Sequence, residues 1–233
     1  MTAKSFGKFR VGGCVSEAFE ATKSNFGLLL GVGILSMACF VVAGITIIGY
    51  FIFVPVIAWG CIKFLLNVID GEAKFSDMFS GFSHFGTVLG RMLWLGIILV
   101  LISLVGASVQ IIGDVAEFPE LWLAGAVINL IFSIFVTVRL NFAIFFAVDQ
   151  DATATESLRM SWNSTSGLVL STFILALVST LINFLGALCF LVGLFFTIPM
   201  SYLMWVSAYR QMVGTSDDGA DTVLVEDAGG QSA

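Results

Sequence analysis

Leu93-Trp94-Leu95-Gly96-Ile97-Ile98-Leu99-Val100-Leu101-Ile102 carries no charge and shows no alternation of polar and apolar side chains. A membrane-spanning strand alternates lipid-facing and lumen-facing residues over about ten positions, so this stretch argues against a barrel. A helix needs about 20 mostly apolar residues to cross a hydrocarbon core of roughly 30 Å. Worked outward from this stretch, the chain offers six such runs, near 26–48, 49–69, 92–113, 121–148, 167–190 and 193–213. Composition agrees: 58% of the 233 residues are hydrophobic and 11% charged, with a mean hydropathy of +1.03, far from the roughly 25% charge of a soluble domain. The fold class is therefore an all-α polytopic membrane bundle of six spans.

Charge gives the orientation. The net charge is −6, but with a cytoplasmic N-terminus and six spans all ten Lys and Arg fall on or near the cytoplasmic side. The one sizeable external connection, around Asp114 to Glu120, holds Asp114, Glu117 and Glu120 and no cation, the asymmetry of the positive-inside rule. Both termini are placed in the cytoplasm. The first apolar run, preceded by Lys4, Lys8, Arg10 and Lys23, lacks the short length and cleavage site of a signal peptide and is expected to be retained.

Three amphipathic segments precede hairpins of apolar runs. The first spans Val15 to Phe26, with Val15, Phe19, Thr22 and Phe26 at helical spacing. The second opens at Phe75 and sets Phe75, Met78, Phe79, Phe82, Phe85 and Leu89 on one stripe, predicting a helix half sunk in lipid or docked in a groove. In the third, Thr153 and Glu156 stand at capping-box spacing and Leu158, Trp162, Thr165 and Val169 share a face. The entry points Asn25-Phe26-Gly27, His84-Phe85-Gly86 and Ser166-Gly167 resemble one another, and Pro55 and Pro199 each follow a glycine, Gly49 and Gly193, by six positions. The prediction is three parallel repeat units, about 15–69, 75–148 and 153–213, with Pro55 and Pro199 as candidate helix kinks and Gly27, Gly31 and Gly33 as close-packing positions. Residues 1–14 are read as a flexible cytoplasmic lead, 15–213 as the transmembrane domain and 214–233 as a disordered acidic tail.

The search for chemistry returns little. Cys14, Cys39, Cys61 and Cys189 have no metal-ligand spacing, and the single histidine, His84, has no ligating neighbour in sequence. Asp149-x-Asp151 reads as helix termination and capping rather than a metal pair. No phosphate-binding loop or nucleophile motif is present, and the sparse cations disfavour nucleic acid as a partner. Arg139 is the most informative ionisable residue within a run. It has two readings: snorkelling or pairing with a carboxylate such as Asp70 or Asp151, or contact with a solute or lipid headgroup together with Asn141 and Asn129. Phe75, Phe79, Phe82 and Trp162 are the candidate interfacial contacts.

Glu156-Ser157-Leu158-x-x-Ser161-Trp162, Phe196-Thr197-Ile198-Pro199-Met200-Ser201-Tyr202 and Phe75-Ser76-Asp77-Met78-Phe79-Ser80-Gly81-Phe82 resemble a broad group of bacterial six-helix inner-membrane proteins, which includes the membrane domain fused to some glycerophosphodiester phosphodiesterases. The resemblance covers about residues 15–213 and implies a bacterial inner-membrane location and topology, with no catalytic residues to carry over. The expectation is a non-enzymatic component without cofactor, associating with the lipid bilayer and with a membrane-protein partner or a second copy. The alternative is a transporter or channel with a polar path near Arg139.

Overall fold

The computed structural model describes residues 6–115, 119–189 and 193–229, and every regular element among them is helical. In chain order these are α1 (Val11–Ser24), α2 (Phe26–Gly44), α3 (Ile47–Ile69), a 3-10 turn (Phe75–Phe79), α4 (Ser80–Ser83), α5 (Phe85–Val115), α6 (Pro119–Leu140), α7 (Ala143–Asp149), α8 (Ala154–Ser164), α9 (Val169–Leu188) and α10 (Leu194–Gly229). Five stretches are long and apolar enough to cross a membrane: Phe26–Gly44, Ile48–Ile69, Phe85–Ile102, Gly125–Asp149 and Val169–Leu188. The chain is a multi-pass helical membrane protein.

The last expected span is not among these five, since Tyr209, Arg210 and Gln211 lower the hydropathy of α10. In α10, Met200, Leu203, Met204, Val206, Ala208, Tyr209 and Met212 are all buried by neighbouring helices. The face that carries these residues is covered by protein, so Tyr209, Arg210 and Gln211 are tolerated near it, while Phe195, Ile198 and Tyr202 stay exposed. Pro55 and Pro199 lie inside continuous helices, α3 and α10.

Several boundaries differ from the sequence expectation. The fourth run is not one helix: the ladder breaks at Asn141-Phe142, separating α6 from the short, largely buried α7. The acidic connection is shorter than drawn, since α5 takes in Asp114 and α6 begins at Pro119; Glu117 lies outside the described residues. The helical backbone of α10 continues to Gly229, where composition predicts a disordered tail from 214. Extending a helix from a packed stem needs no new nucleus, and no proline follows Pro199.

The N-terminal lead is not loose from Phe6 onward. The Gly7 N–H donates to the Met212 carbonyl at 3.0 Å, the Arg10 N–H donates to the Gln211 side chain at 3.1 Å, and Phe9 is only 5% exposed. α1 then packs along α10 through Cys14, Ala18 and Thr22, not through the predicted Val15, Phe19, Thr22 and Phe26 stripe, of which only Thr22 is buried. Phe19 and Phe26 instead meet Phe196 at ring separations of 5.9 and 5.8 Å.

The phenylalanine-rich segment is likewise not one amphipathic helix. Its turn and α4 lie with their backbone against the middle of α3, where a Cβ on Gly60 would stand 1.8 Å from the Met78 carbonyl oxygen and one on Gly81 2.4 Å from that of Val56. Met78 and Gly81 are buried while Phe75, Phe79 and Phe82 remain exposed. By contrast Gly27 and Gly33 have open space around them, and Gly31 meets only the Phe75 ring.

Candidate functional site

A cavity of about 590 Å³ opens between α2, α3, α7 and α10. Leu29, Val32 and Phe40 come from α2, Cys61 and Phe64 from α3, Phe145 from α7, and Pro199, Tyr202 and Trp205 from α10. Its polar contributions are neutral, chiefly Ser36, Asn141 and Tyr202, and no Asp, Glu, Lys, Arg or His lines it. The volume falls in the range of about 300–1,000 Å³ common for small-ligand sites. The break after Leu140 places Asn141 in this wall, just ahead of α7.

One end of the cavity is aromatic. Trp205 packs edge-on to Phe142 at 5.7 Å, Phe142 neighbours Phe145 at 6.2 Å, and Phe145 and Phe146 flank Tyr209 at 5.8 and 5.0 Å. Beyond them is an ionic knot. Tyr209 donates its hydroxyl to Asp149 at 2.7 Å, and Arg210 reaches Asp149 at 2.9 Å and Asp70 at 2.5 Å. Asp149 ends α7 and Asp70 caps the C-terminus of α3, positions where a carboxylate opposes the helix dipole. A guanidinium between the two offsets both, tying α3, α7 and α10 together. A second polar cluster fixes α1: Ser207, fully buried, donates to Glu17 at 2.5 Å, and Gln211 donates to Ser207 at 3.2 Å.

The three residues suggested for solute or lipid contact have separate surroundings. Arg139 stacks over Trp162 at 4.7 Å and Phe135 at 5.6 Å and donates to the Trp162 carbonyl at 3.1 Å. Its own carbonyl, next to the helix break, accepts from Ser161 at 2.8 Å and Thr165 at 3.4 Å. Neither carboxylate suggested as its partner is used: Asp70 pairs with Arg210, and Asp151 with Arg91. Asn129 accepts from Ser133 along α6, and Asn141 alone of the three lines the cavity. Trp162 is 43% exposed on the outer side of α8, whose buried face is Ala154, Ser157, Ser161 and Ser164. Asp149 and Asp151 engage different arginines, and among the described residues no group of three or more His, Cys, Asp or Glu could hold a metal ion.

Sequence reasoning missed Arg210, Tyr209, Phe142 and Trp205. The signal available was a lone arginine near the end of the last apolar run. Comparison with protein-family models, curated proteins and solved structures finds no match.

Proposed function

We propose that this is a non-enzymatic, six-span component of the bacterial inner membrane that associates with lipid and holds one uncharged apolar chain in the cavity between α2, α3, α7 and α10. The carrying observation is the lining, apolar with a few neutral polar groups and no charge. Charged groups inside a hydrocarbon-depth cavity are costly and mark ion or polar-solute paths; their absence from the wall favours an acyl chain. The transport alternative drew on Arg139, whose side chain is engaged by α8.

In this reading α10 is the sixth span, completing an antiparallel pair with α9 and leaving both termini in the cytoplasm. The order of a short segment followed by two long helical runs occurs three times, α1–α2–α3, the turn and α4 with α5 and α6/α7, and α8–α9–α10, which supports the threefold repeat.

Native mass spectrometry of protein extracted in its own lipids tests the function, with a Gly33→Leu variant beside it. Gly33 lines the cavity with nothing within 4 Å of its missing Cβ, so leucine fills the space with little strain. The expected result is a retained lipid lost in the variant at unchanged folded yield. Equal lipid retention in both proteins would reject the cavity as the site, and a stoichiometric protein partner without lipid would replace this reading with a scaffold.

A further inference from the structure

The cavity's aromatic end does not stand alone. Residues 6–10 form a non-helical strap that ends where α1 begins. Phe9 is buried with its ring edge-on to Phe142 at 6.4 Å, and Phe6 meets Phe146 at 5.7 Å. Phe142 links Phe9 to the cavity wall, since it packs on both Trp205 and Phe145, which line the cavity. It sits in the turn between α6 and α7 as the residue that caps α7, its carbonyl accepting from the Phe146 N–H at 3.1 Å.

We propose that the N-terminal strap is the closure of the cavity: Phe9 presses Phe142 against Trp205 and Phe145, and lifting the strap opens this end to water. The proposal rests on the reading of the cavity as a ligand site and names how access to it is controlled. The strap is suited to move. Among the described residues its polar contacts include the Gly7–Met212 backbone hydrogen bond and the Arg10 N–H on Gln211, while Lys8 and Arg10 stay exposed. The strap lies outside the helices, so lifting it breaks no helical turn, and such local opening costs less than global unfolding. The strap enters α1 directly, and α1 has its own anchorage through Glu17 and Ser207, so the strap can lift without undocking α1.

Native cysteines report on it. Cys61 lines the cavity, whereas Cys14 lies fully buried in α1, which packs on α10. Two single-cysteine proteins, one keeping Cys61 and one keeping Cys14, are reconstituted in nanodiscs and treated with a water-soluble cationic methanethiosulfonate. Phe9→Ala is expected to raise the Cys61 labelling rate about tenfold, the factor given by loss of one buried aromatic pair, and to leave Cys14 protected. Phe9→Leu, which refills the site, should stay near the unsubstituted rate. An unchanged Cys61 rate overturns the closure, and so does a parallel rise at Cys14, which would make the strap part of α1 docking. The reagent needs no bound lipid. Gated labelling in protein that retains no lipid would therefore reject the lipid reading alone, and lipid retention with ungated Cys61 would reject the closure alone.

Discussion

Arg139 and Arg210 each lie near one end of a long apolar run, and the fold neutralises them differently. Arg210 stands between two carboxylates, Asp149 and Asp70. Arg210→Met leaves both unpaired at helix C-termini; with the Asp70 side chain 37% exposed, the cost is discounted from that of a fully buried pair to about 2 kcal/mol. Thermal unfolding in detergent measures it, and Asp70→Asn added to Arg210→Met should recover part of the loss. Among the described residues Arg139 meets no carboxylate, and its charge rests on two aromatic faces and the Trp162 carbonyl. Arg139→Leu should lower stability by about 1–2 kcal/mol, and less than additively with Trp162→Leu, because cation–π stacking is shared between them. Unchanged stability with loss of solute flux in proteoliposomes would instead support the transport reading. The sequence singled out Arg139 because it interrupts a run, but its partners are 23 residues or so along the chain in α8, which spacing alone does not reveal. Arg210 lies at the end of a run, where a cation is ordinary, and spacing does not reveal its partners Asp70 and Asp149.

At the level of elements, the pre-hairpin segments leave Phe75, Phe79, Phe82 and Trp162 uncovered by protein, as aromatics of an interfacial segment would be. The first and third bury small or hydroxyl residues, Cys14, Ala18 and Thr22 or Ala154, Ser157, Ser161 and Ser164, the second buries Gly81 together with Met78, and each leaves large aromatics such as Phe19, Phe79 and Trp162 exposed. In lipid there is no hydrophobic gain in hiding an aromatic ring, whereas small side chains let backbones approach closely. The amphipathic segments were thus legible, and the small residues through which they pack on protein were not, because spacing within a segment does not name the helix it meets. Gly60→Ala tests the close approach: its Cβ would meet a backbone oxygen that cannot rotate away, so about 1–3 kcal/mol is expected in detergent unfolding, against little change for Gly27→Ala. The capping box of α8 makes a pH prediction. The Thr153 hydroxyl and then its backbone N–H hold the Glu156 carboxyl below the ordinary carboxylate range. A depressed carboxyl contributes stability above its unfolded pKa and loses it as pH falls through the folded one. Hydrogen exchange, corrected for intrinsic rates, should show the first turn of α8 loosening on acidification, and Glu156→Gln should flatten that dependence.

For the whole molecule, the decisive element is the least hydrophobic of the long helices. α10 packs with α1, α2, α3 and α9, so its polar positions face protein instead of lipid. Tyr209, Arg210, Ser207 and Gln211 lower its hydropathy and at the same time join α10 to α7, α3 and α1. A helix can therefore cross a membrane with modest apolarity when its neighbours supply the lipid-facing surface. Six crossings place both termini on one side, and five place them on opposite sides. Short epitope tags at each end, with protease added to right-side-out and inverted vesicles, separate the two cases. With α10 as a crossing, both tags are cut only in inverted vesicles, in keeping with the placement of Lys8, Arg10 and Lys23 inside. Cleavage of the C-terminal tag from the outer face would overturn the six-crossing topology, because Arg210 at that end of α10 is bonded to Asp70 and Asp149 at the ends of α3 and α7.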